Sequence, residues 1–195
     1  MTQFRITNKY AKDLRLKNLP LPCHTAHILD DWFVDCLYIA RKKVAMAVHG
    51  KSLYTLFISY SESGGTKYVS GMIGMRILKF LDQNGITSHM DQARKLFDTQ
   101  SVFCKTADRK ILAHMNDFKQ QVDGYIYPRH YSLEYCLEEL EHRINEMPVN
   151  LLPKQFSFPV ENFLRLLSAE EALSETKTRL KYPRLANDPY IKIFH

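Results

Sequence analysis

The 195-residue sequence lacks the usual marks of membrane and secreted proteins. No stretch approaches the roughly 18 apolar residues that a membrane-spanning helix requires. The first 17 residues carry charges throughout and have no apolar segment of the signal-peptide kind. The four cysteines are scattered, without Cys-x-x-Cys spacing. We therefore expect a cytoplasmic protein with no membrane contact, whose cysteines are reduced packing residues.

The signatures of several enzyme classes are also missing. The sequence contains no Gly-x-Ser-x-Gly elbow, no His-Glu-x-x-His pair and no dinucleotide-binding glycine fingerprint. Gly64 and Gly65 invite a phosphate-loop interpretation, but the Gly-Lys-Ser/Thr signature does not follow them. His24 and His27 have a metal-ligand spacing, yet they lie in a proline-bounded loop. We predict no cofactor and no metal site.

What the sequence does contain is typical of a folded, moderately basic domain. Hydrophobic residues make up 45%, and the formal net charge is +6 with a pI near 9.1. A positive protein attracts polyanions at low salt, which favours a nucleic-acid site. The 21 acidic residues also permit the simpler interpretation of an ordinary solvated surface.

The pattern along the chain predicts an α+β fold. Short β-prone runs cover 4–7, 32–40, 43–49 and 52–60, and helical patterns cover 68–83, 88–97 and 109–122. We expect a mostly antiparallel sheet of four or five short strands covered by helices. Residues 1–126 are predicted as the α+β core domain, and 127–195 as a helical C-terminal extension packed on it.

The C-terminal part has two notable features. A helix predicted over 132–147 carries leucines on one face and a set of glutamates on the other: Glu134, Glu138, Glu139 and Glu141. These glutamates could form a metal site, but a solvated face fits the spacing better. After a further helix predicted over 168–180, an apolar tail could dock back on the domain or form a homodimer.

The stretch 101–122 is the part to which we assign the candidate site. Val102 to Cys104 predict a strand, Thr106 or Asp108 a helix cap, and the apolar spacing from Arg109 a helix. Free N–H groups at such a junction, with Lys105 and Arg109 beside them, could bind an anion. The alternative is that the cap is only a cap, that Arg109 forms an ion pair, and that Asn116 and Asp117 bond a neighbouring loop.

The same stretch carries a resemblance to a known family. From Lys105 to Asp117 it has the form K-T-x-x-R-x-x-L-x-x-M-N-D. Three earlier segments occur in the family's order, and their matching residues are Thr7, Lys9, Lys12 and Leu14, then Trp32, Phe33 and Asp35, then Lys51, Ser52, Leu53 and Tyr54. Over roughly 4–126 the chain resembles a bacterial family of small proteins containing a domain of unknown function. Two features depart from the family: Ala107 and Asp108 stand where it usually has an asparagine-rich turn, and Ser52 stands where it usually has a threonine.

The resemblance implies no activity, so the functional prediction rests on the residues. We predict a binding or regulatory module whose anion-attracting site comprises Lys105, Thr106, Arg109, Asn116 and Asp117. The expected partner is nucleic acid or an acidic protein; a regulatory role, such as one half of a mobile-element or phage-defence pair, is a further hypothesis. The enzymatic alternative is a metal-independent nuclease that combines these cations with histidines, namely His49, His114 and His130.

Overall fold

A computed structural model describes residues 2–25, 27–39, 41–60, 68–98, 101–123 and 132–168. The strands are β1 (Gln3–Ile6), β2 (Asp31–Ile39), β3 (Lys42–His49), β4 (Thr55–Ser59) and β5 (Val102–Lys105). The helices are α1 (Asn8–Asp13), α2 (Val69–Gln83), α3 (Met90–Asp98), α4 (Arg109–Asp123), α5 (Leu133–Asn145) and α6 (Pro159–Ser168). The predicted helix over 168–180, the apolar tail and His130 lie outside the described residues.

The five strands form one sheet in the order β4-β3-β2-β1-β5. The α+β class is therefore confirmed, but the sheet is mixed. Strand β1 pairs in parallel with both β2 and β5, whereas the β2–β3 and β3–β4 pairs are antiparallel. The antiparallel half follows from local hairpins. The parallel half requires crossover connections, which bring segments that are distant in sequence side by side in the sheet.

Helices cover both faces of the sheet, because alternate residues of the strands are apolar on each side. On one face Trp32 packs with residues of α1, α2, α3 and α6, and its ring meets Phe163 at 6.4 Å between centroids. On the other face Phe33 and Phe57 belong to a second core with the buried stripes of α4 and α5. Trp32, the only tryptophan of the sequence, is fully buried in the first of these cores.

The outer edge of β4 is closed by side chains of α5 instead of another strand. Asn145 accepts the Thr55 N–H and donates to the Thr55 carbonyl, both at 2.8 Å. Glu141 accepts the Phe57 N–H at 2.7 Å and pairs with Arg76 at 2.5 Å. The prediction of a solvated glutamate face is therefore wrong for Glu141, which is 6% exposed. Helix α5 satisfies backbone groups that an open sheet edge would otherwise expose.

The described part of the predicted C-terminal extension packs on both sides of the sheet. Helix α5 lies against β4, and α6 contributes Phe163, which stacks on Tyr54 at 4.7 Å. The division of the chain at residue 126 stays a prediction, because 124–131 lie outside the described residues. No helix in the described ranges is long and apolar enough to cross a membrane.

Candidate anion-binding site

The predicted strand-turn-helix is present where the sequence placed it. Strand β5 ends at Lys105, and α4 begins four residues later at Arg109. Both cationic side chains are exposed. Neither forms a salt bridge with any carboxylate in the part of the chain that the structure describes. The described residues therefore do not support the alternative in which Arg109 forms an ion pair.

The N-terminus of α4 is capped by its own chain. Asp108 Oδ1 accepts the N–H groups of Lys110 at 2.9 Å and Ile111 at 3.2 Å. The capping interpretation is therefore confirmed for Asp108, and these two N–H groups are occupied. Thr106 does not cap: its buried hydroxyl has no hydrogen-bond partner among the described residues. These two N–H groups are therefore not available to an anion at this corner, whereas the Thr106 hydroxyl has no partner among the described residues.

Thr7, Asp35 and Thr106 stand at one level: Thr7 and Thr106 follow the last residues of β1 and β5, and Asp35 lies beside them within β2. The residues just before them are paired in register on the three strands. Thr7 Oγ1 donates to Asp35 Oδ1 at 2.5 Å. Thr7 Oγ1 also accepts the Tyr10 N–H at 3.2 Å, and this bond caps α1. One threonine thus joins the start of a helix to a buried carboxylate.

Asp35 is 4% exposed and its carboxylate is fully engaged. Besides the Thr7 hydroxyl, Oδ1 accepts the Cys36 N–H at 2.7 Å, and Oδ2 binds Lys119 Nζ. Lys119 also contacts Asn116 Oδ1 at 3.4 Å. Because Lys119 is held by Asp35, its charge is largely compensated and it contributes less to an anion site than the exposed cations do.

The structure separates the five predicted site residues into three places. Lys105, Thr106 and Arg109 lie together at the corner. Asn116 lies on the same stripe of α4 as Arg109, but roughly 10 Å further along the axis at 1.5 Å per residue. Asp117 is rotated about 100° from Asn116 around the helix. It lines a pocket on a different flank, which contains His114.

The helices that follow β1 and β5 lie on opposite faces of the sheet. Helix α1 packs Tyr10 and Ala11 into the core that contains Trp32, whereas α4 packs Ile111 and Met115 into the core that contains Phe33. Adjacent parallel strands whose connections leave on opposite faces open a crevice at their carboxyl ends, which is where ligands of open α/β sheets bind. Lys105 and Thr106 lie at the end of one of these strands.

Further exposed cations lie on α1, in the loop after it and at the corner, and we call them the basic face: Lys9, Lys12, Arg15, Lys17, Lys105, Arg109 and Lys110. The loop passes along the outer edge of β5, because Pro20 O accepts the Lys105 N–H at 2.8 Å. The fold therefore gathers cations that are nearly 100 residues apart in sequence.

The structure adds Tyr38, which the sequence reasoning missed. Its side chain is 56% exposed near the end of β2. Lys9 Nζ lies 5.6 Å and Lys43 Nζ 5.9 Å from the ring centroid. Lys43 is paired with Asp13 at 2.5 Å. The neighbouring Arg41 to Lys43 run was the only signal that an aromatic here would meet cations.

Comparison with protein families identifies the family of the chain. The model of the DUF6933 family, described as a domain of unknown function, matches residues 3–162. The chain belongs to this family. No curated protein matches the chain. The DUF6933 match runs from the first residue of β1 into α6, and it includes the corner and the basic face.

Of the predicted nuclease histidines, the two that the structure describes, His49 and His114, are not brought together. His49 lies on the Trp32 face, fully buried, with Nδ1 bonded to the Ser52 hydroxyl at 2.7 Å and Nε2 to Ile28 O at 2.6 Å. Burial lowers its pKa to about 4. His114 lies on α4 across the sheet, and burial lowers its pKa as well. These two imidazoles are neutral and cannot act on one substrate atom.

Of the two histidines in the proline-bounded loop, His27 also has structural partners. His27 Nδ1 accepts the Leu29 N–H at 3.1 Å, and its Nε2 is 3.2 Å from His89 Nδ1. His89 Nε2 bonds Leu167 O at 2.8 Å. His24 is exposed and is not part of this chain of bonds. Within the described ranges, no three His, Cys, Asp or Glu side chains are grouped to hold a metal ion.

Proposed function

We propose that this DUF6933 domain is a binding module for nucleic acid, and that the basic face contacts the phosphate backbone. The observation that carries the proposal is the pair of exposed cations, Lys105 and Arg109, at the carboxyl ends of the parallel strands, neither of which has a carboxylate partner among the described residues. Lys and Arg contacts to phosphates supply most of the affinity of non-specific nucleic-acid binding, because each releases condensed counterions.

The corner suits a phosphate group. Arg109 can present two N–H groups to two phosphate oxygens, and Lys105 adds a point charge. The Thr106 hydroxyl lacks a partner among the described residues, so a phosphate oxygen that reaches it would complete its hydrogen bonding. Because Asp108 occupies two N–H groups at the start of α4, the proposed contact is made by side chains.

Tyr38 favours a single strand over a duplex. Bases of single-stranded nucleic acids stack on exposed aromatic rings, with phosphates held by nearby cations. Tyr38 lies four residues beyond the level at which β1 and β5 end, roughly 13 Å along the strand. Because the corner lies on β5, two strands away from β2, a lateral separation of about 10 Å adds to this, and the corner and the ring are roughly 16 Å apart. A strand of about three nucleotides spans such a distance.

The test is the salt dependence of binding to a fluorescent single-stranded oligonucleotide, measured by anisotropy. Wild type should bind with an affinity that falls as salt rises from dilute to physiological buffer. The K105A/R109A double variant should bind more weakly and lower the magnitude of the salt slope by about 1.4, at about 0.7 per lost phosphate contact. Tyr38→Ala should cost about tenfold in affinity with little change in slope.

Lys154→Ala provides the matched control, because Lys154 is exposed and follows α5, outside the basic face. It should behave as wild type. Absence of salt-dependent binding, or equal slopes for the double variant and the control, would refute the proposal. Salt-dependent binding to polyglutamate but not to DNA or RNA would also refute it and would identify an acidic protein as the partner.

A further inference from the structure

A pocket lies on the flank of α4 that is turned about 100° around the helix axis from Arg109, and Lys110 of the basic face stands at its rim. Its volume is about 390 Å³, and it is open to solvent between α4 and the segment 147–151 that follows α5. This volume falls in the range of small-molecule sites. None of Lys105, Thr106 and Arg109 lines it. The pocket is therefore distinct from the candidate anion site.

His114 supplies an unused polar group in the wall of this pocket. Its side chain is 93% buried, since only 7% remains exposed, and it packs against Phe118 at 4.0 Å between ring centroids. Nε2 has no hydrogen-bond partner in the part of the chain that the structure describes. A buried polar atom without a partner is costly, so such an atom in a native protein points to a missing partner.

The pocket has no net charge to select an ion. Lys110 and Asp117 both line it and carry opposite charges. Burial lowers the pKa of His114, so the imidazole is neutral near pH 7. An inorganic anion or a metal cation would gain little here, in contrast to the corner.

The remaining lining matches a flat heteroaromatic molecule. Met147 and Leu151 provide the accessible apolar walls, and the buried ring of Phe118 lies beneath them. Gln121 and Asn150 each carry an amide in which a donor sits beside an acceptor. This is the complement of the edge of a nucleobase, most directly adenine.

We propose that this pocket binds a nucleobase, which packs between Met147 and Leu151 and hydrogen-bonds to His114 and to the amides of Gln121 and Asn150. The bond to His114 requires the imidazole to turn about its Cβ–Cγ bond until Nε2, which is buried in the free protein, faces the ligand. The base could come from a free nucleoside or from a single strand bound elsewhere on the surface. The chemistry recognised is the same in both cases.

The experiment uses the full-length protein labelled with ¹⁵N, with the His114 imidazole resonances followed by NMR. Uncharged nucleosides at millimolar concentration form one arm, and a short single-stranded oligonucleotide forms the other. A shift of the His114 resonances with nucleosides identifies a site for the free molecule. A shift with the oligonucleotide only identifies a base presented by a strand. Either result supports the pocket.

His114→Phe is the decisive variant, since it keeps an aromatic ring and removes the unpartnered nitrogen. It should fold with at least wild-type stability and weaken nucleobase binding by about tenfold, which corresponds to about 1.4 kcal/mol. K105A/R109A should leave nucleoside binding unchanged, because those residues do not line the pocket. This control separates the pocket from the proposed backbone contact.

Three results would overturn the proposal. One is that neither arm moves the His114 resonances. Another is that His114→Phe binds nucleosides as tightly as wild type. The third is that nucleosides have no effect while deletion of residues 169–195 shifts the His114 resonances, which would assign the pocket to the C-terminal tail.

Discussion

Replacing Asn145 by alanine should expose how far the fold depends on its closed sheet edge. Both functional atoms of this side chain bond the backbone of Thr55, each at 2.8 Å, and both residues are fully buried. Alanine leaves the Thr55 N–H and carbonyl without partners, and water does not reach them in the folded protein.

The magnitude follows from the number of orphaned groups. A buried backbone donor or acceptor without a partner costs about 1–3 kcal/mol. Two such groups give an expected loss of about 2–5 kcal/mol in the free energy of unfolding. This is a large part of the stability of a typical domain. The opened β4 edge should also promote self-association.

Urea denaturation followed by circular dichroism measures the loss, and sedimentation velocity measures the association. Asn145→Asp keeps an acceptor for the Thr55 N–H but turns a carboxylate toward the Thr55 carbonyl, so it should be at least as destabilising as alanine. Asn150→Ala, at an exposed position, should stay within about 0.5 kcal/mol of wild type. A loss below about 0.5 kcal/mol for Asn145→Ala would refute the edge-capping role.

Three further predictions concern buried groups. His49 has a folded-state pKa of about 4 against an ordinary 6.5, so it contributes stability above pH 6.5 that is lost as the pH falls toward 4. His49→Gln should remove about 3 kcal/mol of that pH dependence in urea titrations at several pH values, and an unchanged dependence would contradict this. Of the four cysteines, Cys23 alone is exposed, so a thiol reagent should modify one thiol quickly and the other three only on unfolding; rapid modification of all four would be inconsistent with this. Gly50→Ala should lower the free energy of unfolding by about 1 kcal/mol or more, because its Cβ would lie 2.9 Å from Asp31 Oδ2, which Arg5 holds at 2.8 Å, and an unchanged free energy of unfolding in urea titrations would show that Asp31 can move.

Local features of the fold could be predicted from the sequence, because they depend on neighbouring residues. The β2–β3 hairpin and the strand-turn-helix at Lys105 are both of this kind. The parallel pairing of β1 with β2 and β5 could not be predicted, since nothing in a strand's own residues specifies a distant partner. Glu141 was misassigned because it groups with the other glutamates on the helix. Its burial depends on Arg76, a partner distant in sequence.

The candidate site, like the fold, was predictable where its residues are neighbours in sequence. Lys105, Thr106 and Arg109 are close in sequence, so their proximity followed from the turn. Asp117 was grouped with them by sequence distance, although one residue along a helix rotates a side chain by about 100°. The contribution of α1 and of Tyr38 depends on the β1–β2 pairing, and so required the structure.

The most direct test of the proposed function is a crystal structure of the protein with a short single-stranded oligonucleotide. We predict a backbone phosphate within hydrogen-bond distance of both Lys105 Nζ and the Arg109 guanidinium, with a base stacked on Tyr38. An oligonucleotide bound on another surface, with both cations in solvent, would contradict the account.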